Sequence, residues 1–216
     1  MKTTLSLLSL LLIFNVTIAQ TTAIPDANFE QALITLGLDA SLDGVVLTAN
    51  IDTVTGLDVQ QKNISDLTGI EDFTALIYFE CNNNQITSLD VSQNTSLIVL
   101  NCFDNLLTSL NVTQNNNLAI LQCNDNQLVC LNMKNGNNTS IGSFYAVNNP
   151  NLVCIEVDDV AFSTSNWTVI DPQTSFSTNC PNPCICNISA NYISVGNGNG
   201  NYSFTNTSTG NYNQSH

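Results

Sequence analysis

The sequence predicts a solenoid: short parallel β-strands wound in a right-handed coil with few helices, closed in front by a helical cap and followed by the start of a β-sandwich domain. Three observations carry this. Residues 76–91 align with 97–112 and again with 118–133, a period of 21 residues that marks stacked structural units. Within each copy a short stretch such as Phe79-Glu80-Cys81 alternates apolar and polar residues, as a half-buried strand does. The polar surface is supplied by amides, since 34 of the 216 residues are Asn while charged residues make up only 9%.

Each element follows in chain order. Lys2, the apolar run from Leu5 to Phe14 and the small residues up to Ala19 read as a signal peptide spanning 1–19, so the mature chain is expected to be exported. That run is too short to cross a bilayer, and no membrane span is expected. Residues 20–53 form the front cap, with a helix over about 26–36 that starts at Pro25-Asp26 and stops at Gly37. Phe29, Leu33 and Ile34 share one face of it and are expected over the first coil.

The repeats fill 54–157. Coils cannot bury their own apolar sides and therefore stack, at a strand spacing of about 4.8 Å. Leu57, Phe79, Leu100, Leu121 and Phe144 form one predicted internal column, and Ile64, Ile86, Leu107, Leu128 and Leu152 a second. Asn84, Asn105, Asn126 and Asn149 recur where the chain leaves the strand, placed to bond backbone groups of the turn. Lys62 interrupts that series, which predicts a looser first turn. Cys81, Cys102 and Cys123 recur at the inward position filled by Val59 and Ala146, so they read as small buried hydrophobes. Cys130 and Cys154 fall instead at an outward position in consecutive coils, and exported thiols one coil apart predict a Cys130–Cys154 bridge.

The spacing Leu-x-x-Leu-x-Leu-x-x-Asn-x-Leu over residues 54–157 resembles the leucine-rich repeat family, and in particular internalin-like bacterial surface proteins. The segment from Asn149 to Cys154, with Trp167 and Cys180, is similar to the C-terminal cap of such repeats, placing that cap at 158–180. This resemblance implies a competing Cys154–Cys180 bridge, although Glu156 stands where the cap's second cysteine belongs. The prolines of 181–187 read as a linker, leaving Cys184 and Cys186 without an assigned partner. Residues 188–216 then hold two strand patterns, Tyr192–Val195 and Tyr202–Asn206. The stretch Phe204–Gly210 is similar to the opening of a PKD-type immunoglobulin-fold repeat, so this segment reads as a truncated copy of one, or as a disordered tail.

Composition removes several function classes. Three basic residues against 17 acidic ones give a net charge of -14, which excludes nucleic-acid binding. The single histidine is His216, so no Ser-His-Asp or Cys-His catalysis is expected, and Asp58, Glu80 and Asp90 lie at exposed positions without the apolar surroundings that tune an acid. No cofactor is expected. Asp39, Ser41 and Asp43 match the first half of a calcium loop, but Asn50 replaces its bidentate glutamate, and the stretch reads as an acidic turn with calcium as the weaker alternative. The remaining candidate is the outward face of the strands, concave in a solenoid. Tyr78, Val99, Phe103, Ile120 and Tyr145 put apolar and aromatic groups there beside Glu80, Asn101 and Gln122. The predicted function is non-catalytic recognition or adhesion at the cell surface, with a protein or glycan ligand on that face. The alternative is an accessory module of a larger extracellular hydrolase.

Overall fold

A computed structural model describes residues 19–180, 192–196 and 202–206. The expected signal peptide, apart from Ala19, and the expected linker lie outside the described residues. The chain opens with β1 (Thr21–Ala23), which pairs antiparallel with β2 (Val45–Leu47) across α1 (Ala27–Thr35). A single turn, α2 (Thr48–Ile51), leads into the repeats.

Each coil contributes one strand to a five-stranded parallel sheet: β3 (Gly56–Asp58), β4 (Tyr78–Glu80), β5 (Val99–Asn101), then, after β6 (Ser109–Asn111), β7 (Ile120–Gln122). After β8 (Cys130–Asn132), β9 (Ser143–Tyr145) closes this sheet, whose order is β3-β4-β5-β7-β9. The later coils carry a second strand each. With β10 (Cys154–Glu156) and, beyond α3 (Val160–Asn166), β11 (Ser175–Ser177), these form a second parallel sheet ordered β11-β10-β8-β6. The sequence reading gave one strand per coil and missed this sheet. Finally β12 (Tyr192–Gly196) and β13 (Tyr202–Asn206) pair antiparallel at the two predicted strand positions.

The register is the one the period dictates. Leu57, Phe79, Leu100, Leu121 and Phe144 are directly paired along the first sheet and buried. Ile64, Ile86, Leu107, Leu128 and Leu152 are all fully buried in the same core. Each recurring Asn bridges two coils. The Asn105 Oδ1 accepts from the Ile86 N–H, and its Nδ2 donates to the carbonyls of Cys81 in the previous coil and Cys102 in its own. Asn84, Asn126 and Asn149 repeat the pattern. Buried backbone groups need partners, and one amide side chain provides an acceptor and two donors at once. A second amide series, Asn94, Asn115 and Asn135, links coils on another side as donors: Asn115 donates to the carbonyls of Val91 and Asn94, and Asn135 to that of Asn115, while the Asn94 and Asn115 side-chain oxygens are buried without a partner. The residue before each of the four recurring amides has a left-handed backbone, from Asp104 at φ 52° to Asn148 at φ 60°, which Asn and Asp tolerate best. In the first coil two residues, Gln61 and Asn63, take that conformation around Lys62.

Asp26 fastens α1. Its Oδ1 caps the helix by accepting from the N–H groups of Asn28 and Phe29, and its Oδ2 accepts from the Ser65 and Asp66 N–H groups and the Ser65 hydroxyl. Burial pushes this carboxyl up, but the bonds from Ser65, Phe29 and Asp66 outweigh it and hold Asp26 below the ordinary carboxylate value. Phe29 and Leu33 are fully buried in the common core, with the Phe29 ring 6.4 Å from Phe73. Ile34, placed on the same face by the sequence, is only half-buried.

At the other end Trp167 follows α3 and stacks on Phe144 at 4.4 Å, continuing the first internal column. Phe162 and Phe176 meet its edges. Cys154 is bonded to Cys180, which corrects the Cys130–Cys154 bridge. Cys130 and Cys154 lie at the starts of β8 and β10, where Leu131 pairs with Ile155, and in-register neighbours on a parallel ladder sit at the strand spacing, beyond a disulfide's ~3.8 Å between Cβ atoms. Cys130 is itself disulfide-bonded, though not to Cys154.

Candidate functional site

The exposed face of the five-stranded sheet is built by the alternation of side chains along three-residue strands. Pairing fixes two rows. Gly56, Tyr78, Val99, Ile120 and Ser143 make the first; Asp58, Glu80, Asn101, Gln122 and Tyr145 make the second. A third row, just past the strands, holds Gln60, Asn82, Phe103, Asn124 and Val147, kept in step by bonds such as the Asn83 N–H donating to the Phe103 carbonyl at 3.1 Å.

The five apolar candidates therefore separate. Tyr78, Val99 and Ile120 are consecutive in one row and form a continuous strip, with Tyr78 54% exposed at its end and the other two half-buried. Tyr145, 39% exposed, ends the second row three strands from Tyr78, and Phe103 lies in the third row. The second row is a run of hydrogen-bonding groups, with the Asp58 and Glu80 carboxylates side by side. Asp58 accepts from the backbone and side-chain amides of Gln60, and the Gln60 side chain accepts from Asn82. Asn82, in this third row, is only 2% exposed.

Cys81, Cys102 and Cys123 stack inside, all fully buried and free. Burial pushes the Cys102 thiol up to about 12 and the other two well above the ordinary value, so none supplies a thiolate. Asp39, Ser41 and Asp43 sit in a turn closed from within: Ser41 donates to Asp43, and the buried Glu30 carboxylate accepts from the N–H groups of Asp43 and Gly44. Among the described residues there is no grouping of three or more His, Cys, Asp or Glu side chains able to hold a metal, and no helix long and apolar enough to cross a membrane.

This geometry, two parallel ladders tied by repeated amides with few helices, is that of a leucine-rich-repeat protein. More particularly, its repeats are internalin-like. Over 71 residues the chain is 37% identical to internalin J of Listeria monocytogenes serotype 4b (strain F2365), a match covering 33% of this chain and 8% of that protein. The solved functional domain of InlJ from Listeria monocytogenes, which includes a cysteine ladder, superposes with a TM-score of 0.53 at 29% identity, over 65% of this chain and 34% of that one. An internalin, InlF, from strain 4b F2365 gives a TM-score of 0.48 at 19% identity, over 68% of this chain and 55% of its own. No protein-family model matches the chain. The chain thus spans less than a tenth of its curated relative.

Proposed function

We propose that the chain is an exported, non-catalytic recognition module that binds a protein or glycan ligand through the exposed, concave face of its five-stranded sheet. The observation that carries this reading is the strip Tyr78–Val99–Ile120. Three apolar side chains in register face solvent, where a coil that only had to stack would place polar groups. Internalins are recognition proteins, and the likeness to internalin J supports the same class here. In this reading α1 and the Trp167 cluster serve as end caps, residues 1–19 direct export, and β12 and β13 begin a PKD-type sandwich.

The test replaces Tyr78, Phe103 and Tyr145 together by Ser and measures capture from arrays of immobilised glycans and extracellular proteins. Interface aromatics cost more than about 1 kcal/mol each on truncation. The triple variant is expected to lose capture while its melting curve stays near that of the parent. Undiminished capture, also when Val99 and Ile120 are replaced by Ser, would move the function off this face.

A further inference from the structure

The five-stranded sheet has two ends, and its first strand leaves one edge bare. In a parallel pair a strand's residues alternate in the side to which they aim their backbone groups. The N–H groups of Val59 and Gln61 turn toward the second coil, donating to Glu80 at 2.9 Å and Asn82 at 3.2 Å, and the Thr55 carbonyl accepts from Ile77 and Tyr78. Gly56 and Asp58 point the other way. Their backbone N–H and carbonyl groups bond to none of the described residues. Gly56 also faces open space, with no atom within 4 Å of where a Cβ would stand.

Beside this edge lies a cleft of about 500 Å³, lined on one side by Ala32, Thr35 and Leu36 of α1 and on the other by Asp58, Gln60, Gln61 and Lys62. An unpaired strand edge is a template for another strand, and proteins that do not use one generally cover it, charge it or kink it. Here the edge is short and carries the Asp58 charge, but no described strand pairs with it.

We propose that the β3 edge takes up an extended peptide segment of a partner protein as a sixth strand, with a Lys or Arg opposite Asp58 and an apolar residue next to it in sequence. The cleft favours a single extended segment over a second solenoid, because α1 stands across from the edge and would block a full coil. Charge selects the side chain. Asp58 and Glu80 are consecutive carboxylates in the row that the new strand would extend, no cation among the described residues is bonded to either, and the chain carries a net charge of -14. Side chains of a strand alternate in direction, so the neighbours of that basic residue turn toward Ala32 and the 48% exposed Leu36. Lys62, past the turn, suits a carbonyl or carboxylate at the end of the segment. Main-chain bonds supply affinity and the alternating side chains specificity. This edge site does not depend on whether the sheet face binds a ligand.

The probe is an acetylated, amidated Lys-Val-Lys-Val-Lys peptide, titrated against the chain by calorimetry and followed by amide hydrogen exchange. The expected result is saturable binding that slows exchange at Gly56 and Asp58, and no binding of Glu-Val-Glu-Val-Glu. Two further versions carry N-methyl groups on the three lysine nitrogens or on the two valine nitrogens; at least one should bind tenfold more weakly or worse, because one alternate set of N–H groups faces β3. Gly56→Pro removes a donor that has no native partner and should weaken binding at least tenfold at unchanged melting temperature. Asp58→Asn should remove the preference for Lys over Glu. Binding by both N-methylated versions as tight as that of the parent peptide means charge attraction alone and overturns the proposal. So do absence of saturable binding, and slowed exchange confined to other coils. Concentration-dependent self-association abolished by Gly56→Pro would give the edge to a second copy of the chain, and would equally overturn it.

Discussion

The two ends of the solenoid are finished differently. At the back both ladders are continued: Tyr145 bridges in parallel to Val169, the Ala146 N–H donates to the Val169 carbonyl at 2.9 Å, and β10 is paired by β11. Trp167 then stacks on the last residue of the internal column, and Cys154–Cys180 ties the chain down. At the front the apolar core is sealed by Phe29 and Leu33, but the main fastening is polar, through Asp26, and the edge of β3 is paired by none of the described residues. Covering apolar surface and pairing backbone are separate requirements of a solenoid end. The back carries both ladders past the last coil before they end at Val169 and β11, whereas at the front the first ladder ends at β3 itself.

The largest effect that this contrast predicts is at Trp167. Trp167→Ala removes a 2% exposed ring in contact with three aromatics and should cost about 3–5 kcal/mol in denaturant unfolding. Leu36→Ala, at the front and 48% exposed, should stay within about 0.5 kcal/mol. Equal losses would mean that the Trp167 ring does not carry the packing of the back end.

The recurring amides sharpen the comparison. Asn105→Ala leaves the Ile86 N–H without its partner and takes one of two amide donors from the carbonyls of Cys81 and Cys102, a cost of about 1–3 kcal/mol. Lys62→Ala, at the equivalent position of the first coil, removes an exposed side chain with no such bonds and should change stability by less than about 0.5 kcal/mol. Matched melts of the two variants check this.

Much of the coil was legible in the sequence because it is enforced every 21 residues. The two internal columns and the four amides each repeat at fixed spacing, so one copy corroborates the next. What was missed lies where repetition gives no help or was read for something else. β1 and β2 are three-residue strands paired across more than twenty residues, with no periodic signal. The second sheet was present in the recurring Ser-Leu-Asp/Asn-Val pattern at 88–91 and 109–112, but the reading placed a single strand in each coil. Asn94 and Asn115 stood at the same 21-residue spacing as the other amides, and their burial was the missing fact. The Cys130–Cys154 expectation failed because it counted coils without applying the ladder spacing that already kept Cys81, Cys102 and Cys123 apart. For the candidate face, the outward positions were readable, but the division of its aromatics among three rows needed the strand register.

Acid should loosen the front before the back. Asp26 is held below its ordinary value in the folded chain, so its contribution is complete above about pH 4 and is lost as pH falls through the depressed folded value. Hydrogen exchange between pH 5 and pH 3, corrected for the intrinsic rate, should show protection falling in α1 and around Ser65 while that of Trp167 persists. A uniform loss would remove the distinction.

The most direct measurement of the unequal ends is residue-resolved amide exchange on the chain alone at neutral pH. The account predicts an alternation along the first strand: Gly56 and Asp58 exchange at near-unprotected rates, while Val59 and Gln61, bonded to the second coil, are protected, as is Ala146 at the back. Protection of Gly56 and Asp58 equal to that of Val59 would contradict it, because the front edge would then already be paired.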